Sequence, residues 1–404
     1  MSDVVTEVDG PLAELDVTCG PLVAGGDALV RQTGEKTLFV EGGLPNERVT
    51  VALTQDRKDL RRGHVTKVVT ASSERIEPPC PMFSAGCGGC QWQHIEPSAQ
   101  HQHKLGIVID SLTRIAKLPE APVRFGGAVP DFGYRTTMNL AVVDGRAALR
   151  KRHTKDPIAL DLCMISHPLL EELIKEGRFG DATEVTLRVS VATGERLAWV
   201  RGDVDGVKLP NDVQVTPNGR NASVHEDVLG HRFRVSARSF FQSGPAAAEL
   251  VARYVSEAVP EDAGWIVDAY AGVGLFSLIV GDERDGQITV IEQERSAVHD
   301  ARHNLSALAA EVIEAEVALV ALPGETSPDV VIADPSRTGL GKSASKALTN
   351  LDAETFVLVS CDPASLARDV KLLDEQGYQL NDVVVLDIFP QTHHVETVST
   401  FTSR

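Results

Sequence analysis

The chain has 404 residues, 43% of them hydrophobic, and 57 acidic against 39 basic side chains give a net charge of −18. That length supports two or three domains rather than one, and no run approaches the roughly 18 uninterrupted apolar residues of a membrane span. The opening MSDVVTEVDG lacks the basic-then-apolar order of a secretory signal. A cytoplasmic, monomeric protein without a membrane partner is therefore expected, with its six cysteines serving as metal ligands, nucleophiles or packed thiols rather than disulfides.

An acidic surface repels polyanions, yet the charge is unevenly spread. Residues 51–155 carry a net +7 and the remainder −25. Within that stretch lie Arg57-Lys58-Asp59-Leu60-Arg61-Arg62 and Arg150-Lys151-Arg152-His153-Thr154-Lys155. Each cluster is short enough to be an ordinary solvated face, and each is a candidate nucleic-acid contact.

In chain order, residues from about 12 to 70 alternate short β-rich runs with Gly and Pro turns, which predicts a small β-barrel. A cysteine-bearing loop, PPCPMFSAGCGGCQW, comes next. From Ser98 to Lys117, apolar Leu105, Ile109, Leu112 and Ile115 recur at helical spacing, predicting one amphipathic helix. Runs such as EVTLRVSVA and RLAWVRG between about 122 and 240 indicate a mixed central region of unreadable topology. From Pro245 onward helical and apolar strand-like segments alternate, the mark of a doubly wound parallel sheet with its ligands at the carboxyl ends of the strands. VVVLDIF and VETVSTF have no helix between them and predict a closing antiparallel hairpin.

Chemistry-bearing residues gather at those strand ends. Asp268-Ala269-Tyr270-Ala271-Gly272-Val273-Gly274-Leu275-Phe276 ends one strand and opens a helix, and Glu292 ends the next strand 20 residues after Gly272. Glycines permit a sharp turn close to a ligand and the carboxylate can accept ribose hydroxyls, although a plain tight turn needs the same glycines. Position 277 is Ser rather than the third glycine of a dinucleotide site, which suits a nucleoside cofactor without pyrophosphate, S-adenosylmethionine being the common one. Two further strands end in Asp334-Pro335-Ser336-Arg337 and Ser360-Cys361-Asp362-Pro363. A lone cysteine is more often a small buried hydrophobe than a nucleophile, but the end of a strand followed by Asp-Pro favours reactivity. In Phe389-Pro390-Gln391-Thr392-His393-His394-Val395-Glu396, His394 and Glu396 share one face of an extended strand, as a polar edge pair or as a catalytic base.

Six ordered motifs together resemble the RNA uracil-5-methyltransferases that modify transfer and ribosomal RNA. They are C-x6-C-G-G-C from Cys80, S-F-F-Q ending at Gln242, D-A-Y-A-G-V-G-L-F from Asp268, D-P-S-R-T-G from Asp334, V-S-C-D-P around Cys361, and F-P-Q-T-H-H-V-E ending at Glu396. The resemblance implies an α/β protein in three parts. An OB-like TRAM barrel that binds RNA spans 1–72, and a mixed α+β central domain with a four-cysteine cluster spans 73–240, its helix 98–117 able to pack on the catalytic domain. A Rossmann-like methyltransferase sheet spans 241–404. It further implies Cys361 as nucleophile and Glu396 as base, with Gln242, Tyr270, Glu292 and Asp334 lining the S-adenosylmethionine site, Asp334 touching either cofactor or uracil. Four thiolates, Cys80, Cys87, Cys90 and Cys163, suit either a zinc ion or a 4Fe-4S cluster, and the resemblance favours 4Fe-4S in a structural role. Cys19 matches no motif and is expected to be a packed thiol.

The chain departs from the family pattern at Ala271 (often Cys), Ser336 (often Pro), Gly244 (often Asn) and Thr136 (often Asn). Ribosomal RNA is the expected substrate on account of the barrel, with transfer RNA uridine-54 as the alternative. A non-catalytic RNA-binding or chaperone protein of the same fold, or a radical iron-sulfur enzyme, are the rival readings. Retention of both Cys361 and Glu396 speaks against the first, and the placement of the four cysteines outside the cofactor-binding sheet speaks against the second.

Overall fold

Five short strands built from the β-branched runs after residue 13 form the first sheet of the computed structural model, which describes residues 13–320, 322 and 326–404. The opening segment expected to lack a targeting signal, and the start of the expected 1–72 unit, lie outside the described residues. The five strands lie in the order Glu14–Thr18, Arg48–Asp56, Leu60–Thr70, Thr37–Glu41, Ala28–Val30. Alternation turns Val17, Leu38, Val40, Val49 and Val51 inward, and Trp92, Ile95 and Ile107 from beyond the sheet complete the same core. Two of the four basic side chains in the cluster around the turn between the two longest strands of this sheet are paired with carboxylates. Arg61 pairs with Asp56 and Glu35, and Arg62 with Asp27.

The central region folds into a six-stranded sheet ordered Val213–Thr216, Arg196–Arg201, Glu184–Val189, Thr137–Val143, Arg146–Arg150, Pro157–Ala159. All its pairs are antiparallel except the first, which is parallel. Helix Pro168–Glu176 covers one side through buried Leu170, Leu173 and Ile174.

The last sheet has eight strands, in spatial order Ala310–Glu314, Gln287–Glu292, Trp265–Ala269, Val330–Ala333, Thr355–Ser360, Glu396–Ser403, Tyr378–Asp387 and Val123–Ala128. The first five are parallel, their near-continuous apolar sequences reflecting burial on both faces. Tyr378–Asp387 and Glu396–Ser403 pair antiparallel, as the missing helix between them predicts. The edge strand Val123–Ala128 is supplied from early in the chain and runs parallel to Tyr378–Asp387.

The helix expected over 98–117 is α-helical over Pro97–Ser111, widens into a π-turn at Leu112–Ala116 and stops at Lys117 in the left-handed region (φ 64). Its buried face only partly coincides with the apolar stripe read from the sequence: Leu112 is fully buried and Leu105 and Ile115 pack against the same core. Ile109 of that stripe stays exposed, whereas Gln100, Lys104, Ile107, Val108 and Ser111 are buried, because two of the polar residues find partners inside the protein. Among the described residues, no helix is long and apolar enough to cross a membrane.

Candidate active site

Strand Trp265–Ala269 runs into a loop in which Tyr270 (φ 63), Gly272 (φ 58) and Gly274 (φ 84) all take left-handed conformations. The chain doubles back, and the Gly272 N–H donates to Glu292 Oε2 at 2.9 Å across the adjacent strand end. Glu292 Oε1 accepts from the backbone N–H of Gln293 and of Glu294, each at 2.7 Å. Three main-chain donors thus orient the carboxylate, and its second lone pairs remain for ribose hydroxyls. Beneath the loop Asp268 is fully buried, its Oδ2 accepting from Ser277 N at 3.1 Å and Ser277 Oγ at 2.5 Å. Burial pushes its carboxyl up to about 7.

Gln242 is buried on the loop after strand His231–Ser236. Buried Arg188 donates to Ser236 O (2.6 Å) and Ser239 O (2.7 Å), and buried Asp300 accepts from Ser236 N and Ser239 Oγ. Gly244 follows, where a Cβ would fall 2.2 Å from the Tyr134 carbonyl oxygen. Main chain occupies the space an asparagine side chain would need, which accounts for that departure from the family pattern.

The antiparallel register Ser360↔Thr397 places Cys361 and Glu396 at adjoining strand ends. Cys361 is half-buried and Glu396 is 3% exposed. Asp334 closes the neighbouring strand Val330–Ala333, half-buried at the mouth of the site. Burial, then the charges of Glu396 and Asp334, push the Cys361 thiol up to about 12, and Arg337 opposes them. Burial and then Asp334 raise Glu396 well above the usual carboxylate range, and burial followed by Asp268 raises Asp334. Thiol and carboxyls are thus all shifted toward their protonated forms, and a cation bound among them would draw these values down.

The loop leading to Glu396 is tied down at nearly every residue. Gln391 is left-handed (φ 67), and its carbonyl accepts from Gln91 N (3.1 Å) and Trp92 N (3.0 Å) of the cysteine loop. Its own N–H donates to Gln100 Oε1 at 2.9 Å, and its Oε1 accepts from Gln100 Nε2 at 3.1 Å. Pro390 O accepts from Tyr134 OH (3.2 Å), and Phe389 O accepts from Lys104 Nζ (3.0 Å). Lys104 and Asp387, both wholly buried side chains, form an ion pair at 2.5 Å. His394 is held neutral, burial and then His393 lowering its ring to about 3. Trp92 Nε1 donates to Gly26 O at 3.2 Å, and a Cβ on Gly26 (φ 90) would lie 2.7 Å from His393 Cβ. The N-terminal sheet thereby abuts the catalytic loop. Gln100, Lys104, Asp387 and Gln391 were not singled out from the sequence. The available signal was two polar residues one helical turn apart on the face that also carries Ile107 and Val108.

Cys80, Cys87, Cys90 and Cys163 line one small, mainly apolar cavity together with Met82, Phe83 and Leu160. All six cysteines are free, and among the described residues no three or more His, Cys, Asp or Glu side chains stand in a metal-holding arrangement. By donor type alone, four soft thiols around one cavity suit zinc and an iron-sulfur cluster alike, although they do not stand at ligand spacing here. Cys19 is packed in the N-terminal core.

A family model described as tRNA (Uracil-5-)-methyltransferase matches residues 325–403. An uncharacterized RNA methyltransferase of Streptomyces avermitilis is 32% identical, over 96% of this chain and 97% of its own length. One from Streptomyces coelicolor is 33% identical, over 96% and 92%. The crystal structure of Pyrococcus abyssi tRNA (uracil-54, C5)-methyltransferase with S-adenosyl-L-homocysteine matches 96% of this chain and 100% of its own, with a TM-score of 0.73 and 23% identity, a likeness of fold. With a relative above 30% identity along nearly the whole chain, and the uracil-5 signature over the strands that carry Cys361 and Glu396, this chain belongs to the RNA uracil-5-methyltransferase family.

Proposed function

We propose that the chain methylates carbon 5 of one uridine in ribosomal RNA, with Cys361 as nucleophile and Glu396 as base. The observation that carries this reading is the register joining those two residues at adjoining strand ends, beside Asp334 and the Glu292 loop. Carbon 5 of uracil is a weak nucleophile. The Cys361 thiolate adds to carbon 6, moving the ring electrons into an enolate whose density lies at carbon 5. S-adenosylmethionine, when bound, would supply an electrophilic methyl group on a sulfonium, and Gln242, Tyr270, Glu292 and Asp334 would hold it, with Asp334 touching the uracil as the alternative. The Glu396 carboxylate then takes the proton from carbon 5, the electrons of that C–H bond restore the ring double bond, and the C6–Sγ bond breaks to return the thiolate. His394, its ring lowered to about 3 by burial and then His393, is a weak base, which favours Glu396 as the acid-base group. A uridine in a stack must leave it to reach Cys361.

The five-stranded unit is read as a TRAM-type RNA-binding barrel, and Cys80, Cys87, Cys90 and Cys163 as the holders of a structural 4Fe-4S cluster, zinc being the alternative. The protein works in the cytoplasm on this reading. Glu396→Gln is expected to accumulate a covalent protein–RNA adduct in single turnover, and Cys361→Ala to form none while still binding S-adenosylmethionine. Absence of the adduct would remove Glu396 from its role. Mapping 5-methyluridine in ribosomal and transfer RNA of cells with and without the gene decides between the ribosomal site and transfer RNA uridine-54.

A further inference from the structure

Away from the catalytic loops, the central sheet carries a groove of ≈ 390 Å³ whose lining includes Gly88, Gly89, Asn139, Arg150, Glu184 and Arg201. Gly88 and Gly89 come from the cysteine loop. At the rim the Arg201 guanidinium lies over the Trp199 ring, 3.8 Å from its centroid, and the Arg238 guanidinium stands 5.4 Å from the same centroid. Both are anchored, Arg201 by donating to Thr186 Oγ1 at 2.7 Å and Arg238 by donating from Nε to Asn218 O at 2.9 Å. A guanidinium has five N–H donors, so each retains some for phosphate oxygens. Glu184, 3.8 Å from Arg201, is the one carboxylate among the groove's lining residues. Arg150, Arg201 and Arg238 outnumber it, on a chain whose net charge is −18. Two residues beyond Arg238 stands Phe240, 70% exposed, and two beyond that buried Gln242.

We propose that this groove and its rim form a track for the RNA strand that flanks the target uridine. The strand passes from the active site by Phe240, crosses the Arg238–Trp199–Arg201 stack and enters the groove beside the cysteine loop. The occupant is single-stranded. A flat guanidinium on an indole and an exposed phenyl ring take unpaired bases on their faces while arginines hold the backbone, and a duplex keeps its bases in the stack, where neither platform reaches them. The inference rests on the reading of the chain as an RNA methyltransferase and adds where, and in what form, the RNA lies.

The test uses the full chain and labelled oligouridylates of about 4 and about 16 nucleotides, spanning the site sizes of single-strand binders, titrated by anisotropy at several salt concentrations. The wild type is expected to prefer the longer probe. Arg201→Gln and Arg238→Gln should each weaken the long probe by roughly threefold to tenfold and flatten its salt dependence by about one phosphate contact. Binding of the short probe and of S-adenosylmethionine should not change. Trp199→Phe should keep the affinity that Trp199→Ala loses, and Lys371→Gln, outside the groove, should match the wild type. Unchanged long-probe affinity in both arginine variants overturns the track while leaving methyl transfer to RNA standing. Absence of RNA affinity and of methyl transfer in the wild type overturns the functional reading as well. Capture of a polyglutamate peptide as strongly as RNA, lost in the same variants, overturns the RNA assignment in favour of an acidic protein partner.

Discussion

Cys361 and Glu396 are both shifted toward the protonated forms that the chemistry must leave. The thiol must ionise before it adds to carbon 6 and the carboxyl must ionise before it accepts a proton, yet burial raises both above their ordinary values, helped at Cys361 by Glu396 and Asp334 and at Glu396 by Asp334. The sign follows directly: an acid with a raised pKa reaches its ionised form later as pH climbs, so the rate should rise with pH. Single-turnover methyl transfer is expected to increase from about pH 6 to about pH 9, where an ordinary carboxylate base alone would give a flat profile. Arg337 is the nearby charge that lowers the thiol. Arg337→Gln should therefore displace the profile to more alkaline pH, and an unmoved profile would show that Arg337 does not act on Cys361. A sulfonium cation bound among these carboxyls would offset their effect on the thiol, tying nucleophile activation to cofactor arrival.

The element that places the base is the loop Phe389–Val395, and what holds it is the helix Pro97–Ser111. Gln100→Ala removes both side-chain bonds to Gln391 and strands the buried Gln391 amide, at a cost of about 1–3 kcal/mol. A shift of the loop by about an ångström would lower kcat by roughly 10²-fold. RNA affinity should hold, because the change touches none of the RNA-facing arginines. Urea denaturation and single-turnover kinetics read the two effects separately, and a fully active variant would mean that the clamp does not position Glu396. This helix also marks where sequence reasoning stopped. The strand alternation, the polar strand ends at Asp334 and Cys361 and the closing hairpin are local patterns and could be read directly. The helix was recognised by its period and Leu112 of its apolar stripe is buried, but the buried face extends to Lys104 and Gln100, which owe their burial to Asp387 and Gln391, 283 and 291 residues away. In the central sheet the hairpins are local, Val143↔Arg146 across Asp144-Gly145 and Val189↔Arg196 across residues 190–195, and could have been read from their turns; the pairing of Thr137–Val143 with Glu184–Val189 joins distant runs and could not.

At the scale of the whole molecule Trp92, which follows the cysteine loop, joins the N-terminal and the eight-stranded sheets: it donates its backbone N–H to Gln391 and its indole N–H to Gly26. Disturbing the four-thiol cavity should therefore be felt at the catalytic loop. Cys87→Ser is expected to speed amide hydrogen exchange at Gln91, Trp92 and residues 391–396, and protection equal to that of the wild type would confine the cavity's influence to the central sheet. The buried Lys104–Asp387 pair has a further consequence, for how the protein is made. During vectorial synthesis Lys104 and the edge strand Val123–Ala128 leave the ribosome long before Asp387 and its strand exist. Until then a lysine destined for a dry interior and an unpaired strand edge must be kept in solvent or under a chaperone. Docking of the late hairpin satisfies both and, in the same event, carries Glu396 to Cys361, so the nascent chain acquires its reactive centre only as the sheet closes.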